Sequence, residues 1–419
     1  MYSQDRLHAL DALRSFALFL GIVLHAAMSF FLPVPVQDNS PSTALGVTFF
    51  VIHIFRMSLF YVIAGFFAHL VFHRKGFQVF AGERAKRIAL PMVVGWLILS
   101  PILGIITIWG LTRTFGAEQL ATMEVPTTGL PLTHLWFLYY LCLFYVFTLA
   151  FRFIFVKFDG AGRIRGWIDR SLARLLPTPL APLLLAIPAA AYFQFSETWM
   201  PWMGIPTPDY GLTPQLPALL AYGTAFALGW LLHRQMHLLF EWKNNWHLNL
   251  AVAIVLTIVS LQLVGLAPAL EPVFGADSPL WHKPVYIAAY TMAIWFWVFG
   301  LIGAALQFFS NASYLQRYLA DSSYWLYLAH LPLVFLLQVL LMNVHLHWSL
   351  KFPLILLVTM TVLLLSYHYL VRSTFVGKAL NGRRYPRRRI NVDEPGQPDP
   401  ADSPDGGNKP VAALNQVTY

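Results

Sequence analysis

The chain has 419 residues, of which 58% are hydrophobic and only 11% are charged, against about 25% charged residues in ordinary soluble domains. This charge is too sparse for the polar surface of a soluble enzyme, a secreted domain or a disordered scaffold, so the composition predicts a polytopic membrane protein. The single Cys142 excludes an intrachain disulfide and a cysteine-based metal site.

Apolar segments long enough to cross a bilayer recur along the chain. A crossing helix needs about 17–25 residues at a rise of about 1.5 Å per residue. The predicted fold class is therefore all-α, a polytopic bundle of about ten transmembrane helices. The fifth segment is the weakest, because Pro182 and Pro188 interrupt it, and whether it crosses fully stays open. The segments lie near residues 10–32, 45–72, 88–111, 135–156, 180–196, 215–233, 248–267, 285–309, 323–342 and 352–372.

The basic residues set the predicted orientation. If the N-terminus is cytoplasmic, 24 of the 28 Lys and Arg residues lie on the cytoplasmic side and Arg56 lies inside a helix. The positive-inside rule then places both termini in the cytoplasm. The net charge of +9 reflects this topology, so nucleic-acid binding is not needed to explain it. The three residues left on the other side are Arg113, Lys283 and Lys351.

The chain changes character after residue 372. Residues 1–372 form the predicted membrane domain, and residues 373–419 form a separate tail. The sequence RRYPRRR at 383–389 is followed by a segment rich in Pro, Gly, Asp and Asn. Such a composition cannot bury enough apolar surface to become ordered, so we predict a basic and then disordered cytoplasmic tail. Its basic cluster is expected to contact anionic membrane lipids.

The first span carries a polar stripe. Arg14 and His25 are eleven residues apart, which at about 100° per residue brings them to the same helix face. Asp11 lies close to that face. Arg14 is near the cytoplasmic edge, and His25 is about 16 Å deeper, near the middle of the bilayer. A helix-packing stripe is the alternative interpretation.

Two further spans place histidines at a similar depth. His53 and Arg56 are one turn apart in the second span, and Ser323, Tyr327 and His330 share one face of the ninth. Polar groups are costly inside a bilayer, so each of these residues is a candidate functional position. Together with the first span, these residues indicate a water-filled cavity.

Arg56 has no carboxylate at its own depth. None of the 19 acidic residues lies well inside a span, and Asp11 is at a boundary. A guanidinium at this depth needs an anion, backbone carbonyls or water. One hypothesis is that its counter-charge belongs to the substrate, as a carboxylate or a developing oxyanion. The alternative is that carbonyl and tyrosine oxygens satisfy it.

Two segments at the ends of spans carry further candidates. FAGERAKRIALP (80–91) places Arg84, Lys86 and Arg87 beside the start of the third span. This cluster is suited to phosphate groups, although plain positive-inside charge also explains it. HLWFLYYL (134–141) opens the fourth span at the outer face, where Trp136 is typical of an interfacial aromatic belt and the role of His134 is ambiguous.

Four motifs of the sequence, taken together and in their order along the chain, resemble those of the integral-membrane acyltransferase family 3. The segments that carry the resemblance are LDALRSFALFLGIVLH (10–25), RAKR (84–87), HLWFL (134–138) and SYWLYLAH (323–330), and together they cover roughly residues 6–372. The segment HIFRMSLFYVIAGFFAHLVFHRKG (53–76) is similar to one member of the family. The similarity to that member implies a succinyl donor and a periplasmic glucan acceptor.

The resemblance implies transfer of an acyl group from cytoplasmic acyl-CoA to a hydroxyl of an envelope carbohydrate at the inner membrane. It implies that His25 is the essential histidine, that Arg14 is paired with it, and that Arg84 and Arg87 form the second basic motif. Acyl-CoA would be a co-substrate, and we expect no permanently bound cofactor and no metal. The oligomeric state stays open, with a homo-oligomer as one alternative.

The predicted site therefore has two parts. The catalytic set has His25 as general base on the acceptor hydroxyl, since imidazole titrates near neutrality. It also contains Arg14, Arg56 and His330. The predicted substrate-binding residues are Asp11, His53, Arg84, Lys86, Arg87, Ser323, Tyr327, His134 and Trp136.

Other readings of the buried histidines remain. A proton-coupled exporter would use the same cavity and move a substrate without acyl transfer. A b-type cytochrome is disfavoured because His53 and His69 are 16 residues apart, whereas paired haems need about 13–14. Ser29, on the face of His25, is the candidate for a covalent acyl-enzyme, which is the less favoured path.

Overall fold

The computed structural model describes residues 2–32, 35–122, 130–207, 211–275, 278–311, 313–382 and 385, with side chains from residue 8 onward. Within these ranges the regular structure is helical, which confirms the predicted all-α class. The helices are α1 (Tyr2–Ala27), α2 (Thr43–Arg84), α3 (Leu90–Phe115), α4 (Ala117–Thr122), α5 (Trp136–Phe158), α6 (Arg163–Leu175), α7 (Leu180–Phe195), α8 (Leu216–Leu232), α9 (Leu239–Asn244), α10 (Trp246–Val264), α11 (His282–Phe308), α12 (Tyr314–Leu341), α13 (Trp348–Ser366) and α14 (Phe375–Asn381).

The described ranges contain eight separate helical runs that are long and apolar enough to cross a membrane, rather than the ten expected. One difference is that the second and third predicted spans belong to a single run of 73 residues, Thr43–Phe115. A straight helix of that length would extend about 110 Å, far beyond a hydrocarbon core of about 30 Å. Gly76 interrupts the run with φ 75° and ψ 177°, where the chain can change direction.

The fifth predicted span accounts for the other difference. It corresponds to α7, which has only 16 residues and meets α6 at a bend of 116°. The pair forms a broken span or a re-entrant segment. In α6, the apolar side chains of Ile164 and Trp167 are exposed. The same helix carries arginines along its length, up to its last turn. This pattern is typical of a helix that lies in the membrane interface.

Small residues bring the central helices into backbone contact. A Cβ on Gly65 of α2 would overlap the carbonyl oxygen of Phe226 in α8, and a Cβ on Gly229 of α8 would overlap that of Val62. Helices in lipid associate through such close packing. Lipid tails are as apolar as the helix faces, so the hydrophobic effect does not favour burying one apolar face against another. The contact fixes the rotation of α2, and with it the direction of the polar residues in its first half.

A buried ion pair ties the segment before α2 to the start of α13. The Nζ atom of Lys351 donates to both carboxylate oxygens of Asp38 at 2.8 and 3.0 Å and to the amide oxygen of Asn39 at 2.7 Å. The side chains of Lys351 and Asp38 are 0% and 2% exposed. Burial raises the pKa of the Asp38 carboxyl, and the hydrogen bond from Lys351 opposes that rise.

We expect Lys351→Met to lower the free energy of unfolding by about 3–5 kcal/mol, because it leaves a buried carboxylate without its partner. Thermal unfolding of the purified protein in detergent measures this as a lower midpoint. The double variant Asp38→Asn, Lys351→Met removes both charges and should recover part of the loss. Equal midpoints for the single variant and the wild type would contradict the prediction.

The last described helix lies beyond the predicted domain boundary. Helix α14 packs near the π turn Ala85–Ala89 and α12, and Asn381 Nδ2 donates to Tyr367 Oη at 3.0 Å. Residues 383–384 and 386–419, with the basic cluster, lie outside the described residues. The disordered tail, the domain boundary and the cytoplasmic location of both termini therefore remain predictions.

Candidate active site

A cavity of about 470 Å³ lies between α1, α2, α12, the start of α5 and the segment that joins α7 to α8. This volume falls within the range of about 300–1,000 Å³ typical of small-molecule sites. Along α1 and into the 3₁₀ turn that follows it, the lining runs from Ala17 to Met28, a length of about 16 Å. Seven of the predicted site residues line it, namely His25, His53, Arg56, His134, Trp136, Tyr327 and His330.

Three histidines from different elements meet at one wall of the cavity. The ring centroids of His25 and His330 are 5.2 Å apart, and those of His134 and His330 are also 5.2 Å apart. His134 belongs to the 3₁₀ turn Thr133–Leu135 just before α5. The histidine whose role the sequence left ambiguous is therefore part of the cavity wall.

Backbone carbonyls assign the protons on two of these rings. His134 Nε2 lies 3.1 Å from the carbonyl oxygen of Leu328, and His330 Nδ1 lies 2.7 Å from that of Tyr327. A carbonyl oxygen only accepts, so each of these nitrogens carries a proton. Tyr327 Oη donates to the carbonyl oxygen of His134 at 2.7 Å and holds the turn against α12.

Two ring nitrogens remain without partners at the centre of the wall. His25 Nδ1 and His330 Nε2 are buried and make no hydrogen bond within the described part of the chain. Because His330 Nδ1 holds the proton, neutral His330 presents Nε2 as an acceptor. Buried polar atoms are normally hydrogen-bonded, so unpartnered ones in a cavity indicate a place for a ligand or water.

Gln338 is a site residue that the sequence reasoning missed. Its Nε2 donates to the carbonyl oxygens of His25 at 2.9 Å and Ala26 at 3.2 Å. These carbonyls lie where α1 passes into the 3₁₀ turn Met28–Phe30, so the amide holds the backbone that carries the His25 ring. The signal available in the sequence was an amide side chain inside an apolar span.

Arg56 lies against α1 at Gly21. A Cβ on Gly21 would overlap Nη1 of Arg56, so the guanidinium occupies space that only glycine leaves open. Its Nε atom is buried without a partner. No ion pair among the described residues includes Arg56. The absence of a resident counter-charge, expected from the sequence, thus holds for the part of the chain that the structure describes.

The other predicted residues lie outside the cavity lining. Arg14 pairs with Asp11 at 3.1 Å, and both are about one third exposed. Arg14 is nevertheless one turn from Ala17, where the cavity lining begins. The Ser323 hydroxyl donates to the carbonyl oxygen of Ala320 at 2.8 Å. Ser323 shares a face with Tyr327 and His330 but bonds its own helix instead of reaching the cavity.

The second basic motif forms a cluster near the same end of α1. Arg87 lies within electrostatic range of Arg84 and Arg14. The Arg84 guanidinium lies over the Phe80 ring at 5.3 Å, and Lys86 is exposed. Arg14, one turn from Ala17, lies between this cluster and the cavity lining, so the cluster is suited to phosphate groups of a ligand that extends inward.

Comparison with known proteins identifies the family. The sequence profile of the acyltransferase 3 family, described as an acyltransferase domain, matches residues 7–368. The chain belongs to the acyltransferase 3 family. It is therefore an acyltransferase and, with its apolar helices, a multi-pass membrane protein. No solved structure matches significantly.

Part of this acyltransferase is similar to proteins called glucans biosynthesis protein C. The identity is 28% over 138 residues with the protein of Shigella dysenteriae serotype 1 and 26% over 144 residues with that of Escherichia coli strain K12. Each alignment covers 32% of this chain and 36% of the relative. The chain thus spans about a third of the length of the curated relatives it matches.

We expect Gly21→Ala to reduce acyl transfer, because the added methyl group displaces the Arg56 guanidinium. A shift of this kind in a positioned group lowers kcat/KM by about 10–100-fold. Initial rates of the reconstituted acyltransferase measure it. Gly104→Ala is the matched control, since a Cβ there would meet nothing within 4 Å. Equal rates for the two variants would contradict the assigned position of Arg56.

Proposed function

We propose that this membrane acyltransferase moves an acyl group, with succinyl the best fit, from cytoplasmic acyl-CoA to a hydroxyl of a periplasmic glucan or another envelope carbohydrate. Its place is the inner membrane. The observation that carries the proposal is that His25, His134, His330 and Arg56 converge from separate elements on one cavity. The relatives named for glucan biosynthesis support the class of acceptor.

The donor side of the proposal rests on the basic cluster. The phosphates of acyl-CoA cannot enter lipid, so they are expected to bind Arg84, Arg87 and Lys86 at the membrane edge. The pantetheine arm then passes Arg14 and enters the cavity at Ala17. About 16 Å separate Arg14 from His25 along α1, and an extended pantetheine arm can cover such a distance.

We expect the chemical step to use His25 as the base. His25 accepts the proton of the acceptor hydroxyl while its oxygen bonds to the thioester carbonyl carbon. A tetrahedral oxyanion forms, and collapse breaks the carbon–sulfur bond. The proton held on His25 then passes to the leaving thiolate of CoA. His330 Nε2, an acceptor without a partner, is placed to hold a second hydroxyl of the acceptor.

A direct transfer needs no nucleophilic serine. Ser29 Oγ is buried without a hydrogen-bond partner, but Ser29 is not among the residues that line the cavity. We therefore expect Ser29→Ala to keep turnover within about threefold of the wild type. Single-turnover experiments with radiolabelled acyl-CoA test this, because an acyl-enzyme would leave label on the denatured protein. Labelled wild type together with an inactive, unlabelled Ser29→Ala would establish the covalent path.

Mass analysis of envelope glycans tests the proposed function directly. Cells without the gene should lack an acyl substituent that the wild-type gene restores and a His25→Ala gene does not. The proton-coupled exporter remains the alternative. The exporter predicts that, in cells without the gene, a glycan stays inside the cell with its acylation unchanged. It also predicts that vesicles containing the protein move substrate without consuming acyl-CoA.

A further inference from the structure

The wall of the cavity opposite the Ala17 end is built by the segment between α7 and α8. Residues 196, 198–200 and 203–207 line the cavity, and Gln215 adds a side chain just before α8. Apart from the 3₁₀ turn Pro201–Met203, the described part of this segment is irregular, and long irregular connections in compact proteins are usually functional. We call residues 196–207 together with Gln215 the α7–α8 wall.

Side chains from α11 and α5 hold the α7–α8 wall in place. Lys283 Nζ donates to the carbonyl oxygen of Ser196 at 2.8 Å, and Tyr286 Oη donates to that of Pro201 at 3.0 Å. At the other end, Gln215 N donates to Tyr140 Oη at 2.7 Å. Within the wall, Trp199 Nε1 donates to the carbonyl oxygen of Gly204 at 2.7 Å. The wall is therefore preorganised, which reduces the entropy lost when a ligand binds.

The chemistry of the α7–α8 wall differs from that of the helices facing it. Its polar side chains in the cavity are neutral, namely Ser196, Thr198, Thr207 and Gln215. The guanidinium and the imidazoles all come from the other elements that line the cavity. Hydroxyl and amide groups donate and accept at once, which suits a ligand with many hydroxyls and no charge.

Aromatic rings complete this half of the cavity. Tyr192 of α7 and Trp136 at the start of α5 line it beside the neutral polar groups. Aromatic faces pack against apolar C–H surfaces while hydroxyls at the ligand edge bind polar side chains. A sugar ring presents both kinds of surface without a charge, whereas a succinyl group presents a carboxylate and no hydroxyl.

Two buried polar atoms converge on Gly204 within the wall. Gly204 has φ +70°, and a Cβ there would lie 2.7 Å from Tyr290 Oη and 3.7 Å from His53 Nδ1. Both atoms are buried and lack a hydrogen-bond partner among the described residues. His53 lines the cavity. An unpartnered nitrogen beside a preorganised wall indicates a place for a hydroxyl of a ligand.

We propose that the α7–α8 wall is the acceptor subsite and takes one uncharged, polyhydroxylated sugar ring. Thr207 and Gln215 bind ring hydroxyls, and His53 Nδ1 binds the hydroxyl nearest to Gly204. This arrangement directs a neighbouring hydroxyl toward His25 across the cavity. The inference rests on the proposed acyl transfer to a carbohydrate and names the part of the site that selects the acceptor.

Near-isosteric variants of the wall test the proposal in the reconstituted full-length protein. Thr207→Val and Gln215→Leu each remove hydrogen-bonding groups, and each should raise KM for a soluble linear glucan by about 3–10-fold. KM for acyl-CoA should not change, because the donor binds at the Ala17 end. Thr112→Val is the control, since its exposed hydroxyl donates to the carbonyl oxygen of Ile108 in its own helix and Thr112 does not line the cavity.

The outcomes separate this inference from the proposed function. If the wild type transfers no acyl group to any glycan, the proposed function fails. If the wild type is active and both variants keep the wild-type KM for glucan, only the acceptor subsite fails. If either variant unfolds, Thr198→Val replaces it, because Thr198 is exposed and its substitution should not disturb folding. Thr198→Val must then raise KM for glucan by the same factor. The wild type should acylate an acceptor that ends in a uronic acid no better than the variants acylate glucan. A preference of the wild type for the uronic-acid acceptor would overturn the proposal that the subsite takes an uncharged sugar.

Discussion

Replacing His25 by alanine is expected to reduce the acyl-transfer rate by about 10²–10⁴-fold, the usual contribution of a general base. The ring lies 5.2 Å from that of His330 and lines the cavity. Its loss should lower kcat with little change in KM for acyl-CoA, because the proposed phosphate site lies near Arg14, which is about 16 Å from His25 along α1. The measurement is the release of CoA by proteoliposomes supplied with acyl-CoA and glucan.

His345→Ala is the matched control for this experiment. His345 is an exposed histidine in the segment between α12 and α13 and does not line the cavity. Its replacement removes an imidazole from the same protein without touching the site. If His25→Ala turns over at the rate of His345→Ala, His25 is not the base, and the mechanism proposed above is wrong.

Replacing Arg56 by lysine should change which acyl group is transferred. Arg56 has no resident counter-ion among the described residues, so we expect it to bind the free carboxylate of a succinyl donor. Lysine keeps the charge but not the two parallel hydrogen bonds, and a charged hydrogen bond contributes about 1.5–3 kcal/mol. The variant should therefore lose about 10–100-fold in kcat/KM with succinyl-CoA.

Butyryl-CoA is the matched donor for the Arg56 experiment. It has the same number of acyl carbons and no terminal carboxylate, so its kcat/KM should fall much less in Arg56→Lys. The ratio of the two donors, measured with one protein preparation, is independent of how much protein is active. Equal losses for both donors would assign Arg56 to the oxyanion rather than to the acyl group.

Much of the fold could be read from local properties of the chain. Apolar segment length predicted the helices that contain the polar residues, since the hydrocarbon thickness sets that length. The prediction was less accurate where the chain bends. Pro182 and Pro188 marked α7 as irregular, but the bend of 116° toward α6 depends on packing against α8 and α11. Gly76 gave no sequence signal that distinguished it from other glycines.

The site was predictable in part. Helical periodicity placed His53 and Arg56, and likewise Tyr327 and His330, on common faces, and all four line the cavity. The same periodicity included Ser323, whose hydroxyl bonds its own helix. Periodicity gives the face of a helix but not the depth at which a cavity ends.

Loops and cross-helix contacts were beyond sequence reasoning. Gln338 reaches the backbone of His25 only because α12 packs along α1. The α7–α8 wall lines the cavity only because Lys283, Tyr286 and Tyr140 hold its backbone. No periodic pattern describes such a segment, since its shape depends on partners distant in sequence.

The sequence by itself determined that this protein is an all-helical membrane protein with costly polar groups at mid-depth, because hydrophobic length and the penalty for charge in lipid are local properties. Only the tertiary structure decided which of those groups share a cavity. Close glycine contacts, such as Gly21 with Arg56 and Gly229 with Val62, set the distance and rotation of each helix. Those two quantities determine whether side chains on separate helices meet.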